Sequence, residues 1–183
     1  MDLRSKILTA FESLEQKRSL LENQLDEIET DLLAVPEGPG KWSVNQVLVH
    51  LSNAEFGTLR YIQKKMQGID SLKPSNAWSG IRAIFLKWLL DSSLRYKMPK
   101  QLPEPSNETS YEELRQQFDK NRASLKSLIE TFPEEALDKL IFRHPFAGRF
   151  SMYQTVLFLE EHYKHHLRQV NRILQVVANR GKK

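Results

Sequence analysis

The 183-residue chain has 40% hydrophobic and 27% charged residues, the mixture of an ordinary globular protein, and we expect one domain over residues 1–183. It contains no cysteine, which excludes disulfides, thiolate metal sites, iron–sulfur clusters and cysteine nucleophiles. The net charge of 27 − 23 = +4 is weak evidence for nucleic acid, no segment reaches the roughly 18 apolar residues that span a bilayer, and the N-terminus lacks a signal-peptide core. We therefore expect a cytoplasmic protein that binds neither nucleic acid nor membrane.

The first predicted helix covers residues 3–32. Its apolar side chains recur at steps of three, four and seven, interrupted only at Arg18, as on the buried seam of a helix. These side chains are Ile7, Phe11, Leu14, Leu21, Leu25, Ile28 and Leu32. The proline and glycine residues of segment 36–40 end this helix.

A capping box formed by Ser43 and Gln46 begins the second predicted helix. This helix runs to about Gln67, where Gly68 suits a C-terminal cap. Residues 69–79 then form a turn-rich connection.

A shorter helix is predicted within residues 80–95, which carry a cluster of apolar side chains interrupted by Arg82 and Lys87. The cluster consists of Ile81, Ile84, Phe85, Leu86, Trp88, Leu89 and Leu90. We favour packing against the bundle or a partner subunit over a helix lying on a membrane surface. Pro99, Pro103 and Pro105 make residues 96–109 an extended connection.

Two further capping boxes begin the remaining long helices. The box of Ser110 and Glu113 opens a helix that runs to about Thr131, and residues 133–135 could start a short helical turn. After a loop at residues 144–148, the box at 151–154 opens a last helix that runs to about residue 179, before Gly181. No segment shows strand alternation, so the prediction is an all-α bundle of four long helices and one shorter helix.

Two histidines of the last helix lie on its core-facing stripe. At 100° per residue, His162 and His166 share a face with Leu159 and Ile173, whereas His165 lies about 100° away. Their i, i+4 spacing lets two imidazoles share one metal ion. A third ligand must come from another helix, and His50 on the second helix is the candidate.

The alternative interpretation is structural, since a histidine on an apolar face is often only a hydrogen-bonded core residue. The zinc-protease pattern H-E-x-x-H is not met, because Tyr163 follows the first histidine. Three carboxylates on the same helices point away from the histidines on the helical wheel, namely Glu55, Glu160 and Glu161. Side chains that could orient the ligands are Gln46, Asn53 and Gln169, with polar helix-edge residues as the alternative interpretation.

Three segments together resemble the DinB-like (damage-inducible) superfamily. They are residues 41–51, with KWS followed by QVLVHL, residues 144–151, with H-P-x-x-G before Ser151, and residues 162–169, with H-x-x-H-H-x-x-Q. The resemblance covers the chain in order and spacing. It implies an up-down-down-up four-helix bundle, often a homodimer, with a divalent cation, typically nickel or zinc, on His50, His162 and His166.

The same resemblance implies a metal-dependent hydrolase or a transferase that uses a low-molecular-weight thiol, acting on a small-molecule substrate. Its catalytic residues stay open, because the nucleophile would be a metal-bound water or an exogenous thiol. The alternative is a non-catalytic metal-binding or structural helical bundle in stress response. A nucleic-acid-associated stress protein is a third possibility, which only the basic C-terminal segment favours, with six Lys/Arg and no acids in residues 162–183.

Overall fold

The computed structural model describes residues 1–91 and 103–180. Six helices and a two-stranded antiparallel hairpin form the described fold, with 3₁₀ turns at Ile69–Ser71 and Glu134–Ala136. The elements in chain order are α1 (Leu3–Asp26), α2 (Thr30–Leu33), α3 (Val44–Met66), α4 (Ala77–Asp91), α5 (Tyr111–Thr131), β1 (Phe142–His144), β2 (Gly148–Phe150) and α6 (Met152–Arg180).

The four long helices form a four-helix bundle, in which α1 packs between α5 and α6, and α3 packs between the same two helices. Helices α1 and α5 are antiparallel. Arg4 at the start of α1 donates to the carbonyl oxygen of Phe132, just beyond α5, and Asp26 at the end of α1 pairs with Arg115 near the start of α5. The pairs α1–α3 and α5–α6 therefore lie across the diagonals of the bundle.

Helices α3 and α5 are parallel, because Ser43 and Asn107 make contact ahead of both helices and Glu55 binds Arg122 further along both. Helix α6 runs opposite to α3, since Tyr61 in the last turns of α3 packs on Phe142, which precedes α6. The order is thus up-down-down-up, as predicted, with α4 as the shorter helix of the middle crossover.

The first predicted helix is wrong beyond residue 26. Helix α1 ends at Asp26, and the short helix α2 then turns Leu33 into the core while Leu32 remains 36% exposed. Four acids crowd this stretch, at positions 26, 27, 29 and 31, and the last turn of α1 has no basic residue. The acids do not favour a helix end at Asp26, since negative charge is unfavourable at a helix C-terminus, but Asp31 suits the first turn of α2, and the break allows Leu33 to enter the core in place of Leu32.

The prediction of no strands is also wrong, because the predicted 144–148 loop lies in the β1–β2 hairpin. Phe142 pairs with Phe150, and His144 pairs with Gly148. Strands of three residues are too short to show alternation. Gly148 has φ +84°, in the left-handed region, and a Cβ there would lie 3.2 Å from the Arg82 side chain, so two constraints favour glycine.

The other predicted boundaries differ in detail. Helix α4 begins at Ala77 rather than at residue 80, and residues 92–95 lie outside the described part of the chain, as do Pro99 and Gly181. Residues 103–110 are non-helical, in agreement with the extended connection. Gly68 follows α3 with φ −132°, so it does not provide a left-handed cap. No helix within the described ranges is both long and apolar enough to cross a membrane.

One buried cation joins the four helices of the bundle. Arg122 on α5 is 2% exposed and binds Glu55 on α3 through Nε and Nη2, at 3.0 and 2.6 Å. Its Nη1 donates to Glu15 on α1 at 2.7 Å, and its guanidinium lies over the ring of Tyr163 on α6. Burial raises the pKa of Glu55, although the attraction of Arg122 lowers it.

Candidate metal site

The three predicted ligand histidines converge between α3 and α6. The Nε2 atoms of His50 and His162 are 3.2 Å apart, and the ring of His166 has its centroid 4.8 Å from that of His50 and 4.7 Å from that of His162. One potential ligand nitrogen from each histidine lies within 4.8 Å of the others. Within the described residues, no other group of histidines and carboxylates has this geometry.

The separation of His50 and His162 fits two ligands of one ion. With bonds of about 2.0–2.1 Å and a tetrahedral angle, two ligand nitrogens lie about 3.3–3.4 Å apart. The observed 3.2 Å is close to that value. Only His166 needs to approach for the three nitrogens to form one triangular face of a coordination sphere.

A side chain of the same helix orients the ring of His166. Its Nδ1 lies 2.8 Å from Oε1 of Gln169, one turn further along α6. Because an amide oxygen only accepts hydrogen bonds, Nδ1 carries the proton and Nε2 keeps its lone pair. A carbonyl oxygen behind a ligand histidine is the usual device that sets its tautomer.

Aromatic rings surround the cluster. Trp42 packs on His50 with a centroid distance of 5.4 Å, and Phe158 stacks on His162 at 5.5 Å. Burial lowers the pKa of His50 to about 4 and that of His166 to about 3, and it lowers the pKa of His162 well below its usual value. The imidazoles are therefore neutral at pH 7, the form in which histidine binds a metal.

The three predicted orienting side chains lie in different places. Gln169 contacts His166, as described above. Gln46 instead completes the α3 capping box, where its Oε1 accepts from the Ser43 amide and its Nε2 donates to the Pro105 carbonyl. Asn53 is exposed on α3. The helix cap thus takes Gln46, and among these three candidates the structure brings Gln169 to the histidines.

The remaining two histidines have other partners. His165 donates from Nδ1 to the Leu90 carbonyl at 2.8 Å, and Arg168 donates to the same oxygen at 2.6 Å, so these two side chains tie the end of α4 to α6. His144 accepts from the backbone amides at positions 146 and 147 and packs edge-on against Phe158. Neither belongs to the three-histidine group.

The three carboxylates that were predicted to point away from the histidines form ion pairs elsewhere. Glu55 binds Arg122, Glu160 binds Lys17, and Glu161 binds Lys87 and Lys164. The three-histidine group that the described residues form offers three neutral imidazole nitrogens and includes no carboxylate.

Sequence reasoning missed the aromatic rings around the cluster. Phe158 precedes His162 by one helical turn, a spacing that could have revealed it. Trp42 precedes the α3 cap, and no periodicity points to it.

Comparison with known proteins identifies a family and supports the fold. A family model described as the DinB superfamily matches residues 13–170. The solved structure of TT2238, described as a four-helix bundle protein, has a TM-score of 0.57 to this chain at 21% identity, covering 91% of this chain and 98% of that one. At this identity the likeness establishes the fold alone. No curated protein matches the chain.

Proposed function

The chain belongs to the DinB superfamily, and from this premise we propose that it is a metal-dependent enzyme whose divalent cation is bound by His50, His162 and His166. The observation that carries the proposal is the 3.2 Å separation of the His50 and His162 Nε2 atoms, with His166 oriented toward the same point by Gln169. Nickel and zinc are the ions proposed, since both accept imidazole ligands.

The donor set fits such an ion. Three neutral imidazoles leave its full +2 charge uncompensated, and when bound it supplies Lewis acidity that lowers the pKa of a coordinated water or thiol. The chain's own residues position the imidazoles and shield them from water. Gln169 fixes the tautomer of His166, and Trp42 and Phe158 limit the access of bulk water to the imidazoles.

The reaction proposed is hydrolysis, or transfer involving a low-molecular-weight thiol. No described carboxylate joins the cluster as a general base, which favours a nucleophile that is activated by coordination. A thiol would have to be a small molecule, because the chain has no cysteine. The proposal places the protein in the cytoplasm, where such thiols are kept reduced.

The metal is tested by titrating the full chain with Zn²⁺ or Ni²⁺ in a calorimeter and by elemental analysis after desalting. We expect one ion per chain, with binding lost in the variants His50→Gln, His162→Gln and His166→Gln. His144→Gln is the matched control, since His144 is also partly buried but lies outside the cluster. Equal binding by the control and the three variants would refute the site.

The reaction class is tested on the Ni²⁺-loaded chain by absorption spectroscopy. A thiolate-to-nickel charge-transfer band on adding a small thiol would support transfer, and the cysteine-free chain gives no such band of its own. If the metal is bound but no charge-transfer band appears on adding the thiol, hydrolysis is the proposed reaction that remains. A loaded protein that binds no thiol and cleaves no ester, amide or phosphoester probe would instead have a structural ion that joins α3 to α6.

A further inference from the structure

The β1–β2 hairpin carries two arginines side by side on its outer face. Arg143 and Arg149 pair across the two strands, so their side chains leave the same face of the hairpin, and both are exposed. We call these two residues the arginine pair. The inner face buries Phe142 and Phe150. Because a slip of one residue would exchange the two faces, the buried phenylalanines fix the arginine pair in this position.

The arginine pair has no ion-pair partner within the described part of the chain, whereas six other arginines there bind a carboxylate. These six are Arg4, Arg18, Arg115, Arg122, Arg168 and Arg172. Residues 139–150 contain three basic residues and no acid. Like charges directly opposite each other destabilise a pair of strands. The hairpin therefore has an arrangement that costs free energy until an anion binds between the two arginines.

Two further cations flank the arginine pair, because α3 contacts β1 and α4 contacts β2. On the α3 side, Lys65 lies over the ring of Tyr61, which packs on Phe142. On the α4 side, a Cβ on Gly148 would lie only 3.2 Å from Nε of Arg82. That Nε is buried and has no hydrogen-bond partner among the described residues. Buried donors are normally satisfied, so the orphaned Nε indicates that an acceptor belongs at this hairpin.

A phosphate group matches the charge and the spacing of the arginine pair. Side chains directly opposite each other across two strands have Cβ atoms about 4.5–5.5 Å apart, so two guanidinium groups can reach one anion. Each guanidinium binds phosphate oxygens through parallel hydrogen bonds, and a phosphate monoester carries about −1.5 to −2 charges at pH 7. A carboxylate has one negative charge, which leaves one guanidinium uncompensated.

We propose that Arg143 and Arg149 bind the phosphate group of a phosphorylated ligand, and that the two flanking cations strengthen the attraction. Two sources supply this chemistry, a soluble phosphate ester and a lipid phosphate headgroup. His144 belongs to the opposite, inner face of the hairpin, where it packs on Phe158 beside the histidine cluster. The phosphate site is therefore separate from the proposed metal site, and the inference does not depend on the metal.

The test for a soluble phosphate is an NMR titration of the full chain, labelled with ¹⁵N-arginine, with sodium phosphate. The Nε–H resonances of the pair are assigned from the variants Arg143→Gln and Arg149→Gln. We expect both resonances to shift to saturation with phosphate and to stay in place with sodium chloride at the same ionic strength. Each variant should bind phosphate about tenfold more weakly or worse, because a hydrogen bond to a charged group contributes at least that factor.

Arg115→Gln is the matched control. Arg115 has a side chain that is 38% exposed, and it lies near the start of α5, at the end of the bundle opposite to the hairpin. We expect this variant to bind phosphate as the wild type does. Circular dichroism checks that all variants keep the helical spectrum, which the exposure of Arg143 and Arg149 favours.

Sedimentation with phosphatidylcholine vesicles that contain phosphatidic acid tests the lipid source. Vesicle binding that is lost in the double variant Arg143→Gln/Arg149→Gln, with no response to inorganic phosphate, would assign the site to a lipid headgroup. Phosphate that only coordinates a metal ion would leave both arginine resonances in place. The proposal is overturned if these resonances ignore phosphate or respond equally to chloride, and vesicle binding is absent or unchanged in the double variant.

Discussion

Replacing Glu55 by glutamine should destabilise the fold severely, because Glu55 is the main counter-charge of Arg122. Arg122 is 2% exposed and its guanidinium makes two hydrogen bonds to Glu55, whereas its second carboxylate partner, Glu15, has a side chain that is 36% exposed. Breaking a buried ion pair by removing one charge costs about 3–5 kcal/mol. The free energy of unfolding of a globular protein is about 5–15 kcal/mol, so this loss is a large share of it.

Urea denaturation followed by circular dichroism measures the effect. With an m-value of about 2 kcal/mol/M, a loss of about 4 kcal/mol lowers the midpoint by about 2 M. Replacing both charged residues by apolar ones in Glu55→Met/Arg122→Met should recover a substantial part of the lost free energy of unfolding, since an apolar replacement of a buried pair is often neutral. The control is Asp26→Asn, which breaks the exposed pair with Arg115 and should cost less than about 1 kcal/mol. Glu55 would not be the main counter-charge of Arg122 if Glu55→Gln cost no more free energy of unfolding than Asp26→Asn, or if the double variant were no more stable than Glu55→Gln.

Four further predictions address the metal and the cap of α5. Zn²⁺ at about 100 times its dissociation constant should stabilise the chain by about 2.7 kcal/mol, seen as a raised melting temperature that is absent in His50→Gln; an equal shift in the variant would place the ion elsewhere. Gln169→Leu should weaken metal affinity about 10–100-fold in a chelator competition while one ion still binds, and unchanged affinity would show that Gln169 does not orient His166. Ser110→Ala should cost about 1 kcal/mol in urea denaturation, because it removes the α5 cap. The hydrogen bonds from Ser110 lower the pKa of Glu113 below 4.5, so the contribution of this carboxylate is present above pH 4.5 and lost as the pH falls through the lowered pKa. Glu113→Gln should remove that part of the acid dependence.

Local signals made the helix starts predictable. The boxes that begin at Ser43, Ser110 and Ser151 each depend on a side chain three residues further on, and all three are present in the structure. The shared helix face of His162 and His166 was predictable for a similar reason, because helical periodicity is also a local property of the sequence. The position of His50 beside these two histidines could not follow from local signals, because tertiary packing determines which helices are neighbours.

The errors lie where competing interactions decide the outcome. Apolar spacing continued through Ile28 to Leu32, but the chain breaks after Asp26 and buries Leu33 instead of Leu32, and this choice depends on tertiary packing that periodicity does not register. The Gln46 side chain could have bound either His50, one turn later, or the backbone amide of Ser43 at the start of the helix. It accepts a hydrogen bond from the Ser43 amide, which has no partner within the helix. The β1–β2 hairpin depends on packing against Tyr61 and Phe158 rather than on strand patterning.

The wide separation of the histidines along the chain gives the cluster a mechanical role. His50 and His162 are 112 positions apart, although their helices are neighbours in the bundle. An ion bound by both links the ends of a long loop, and in theory the links that close long loops give the largest stabilisation, because the closure entropy rises with loop length. A protease cut in the connection before α5 would then leave two fragments that stay joined while the ion is bound and come apart more readily once a chelator removes it.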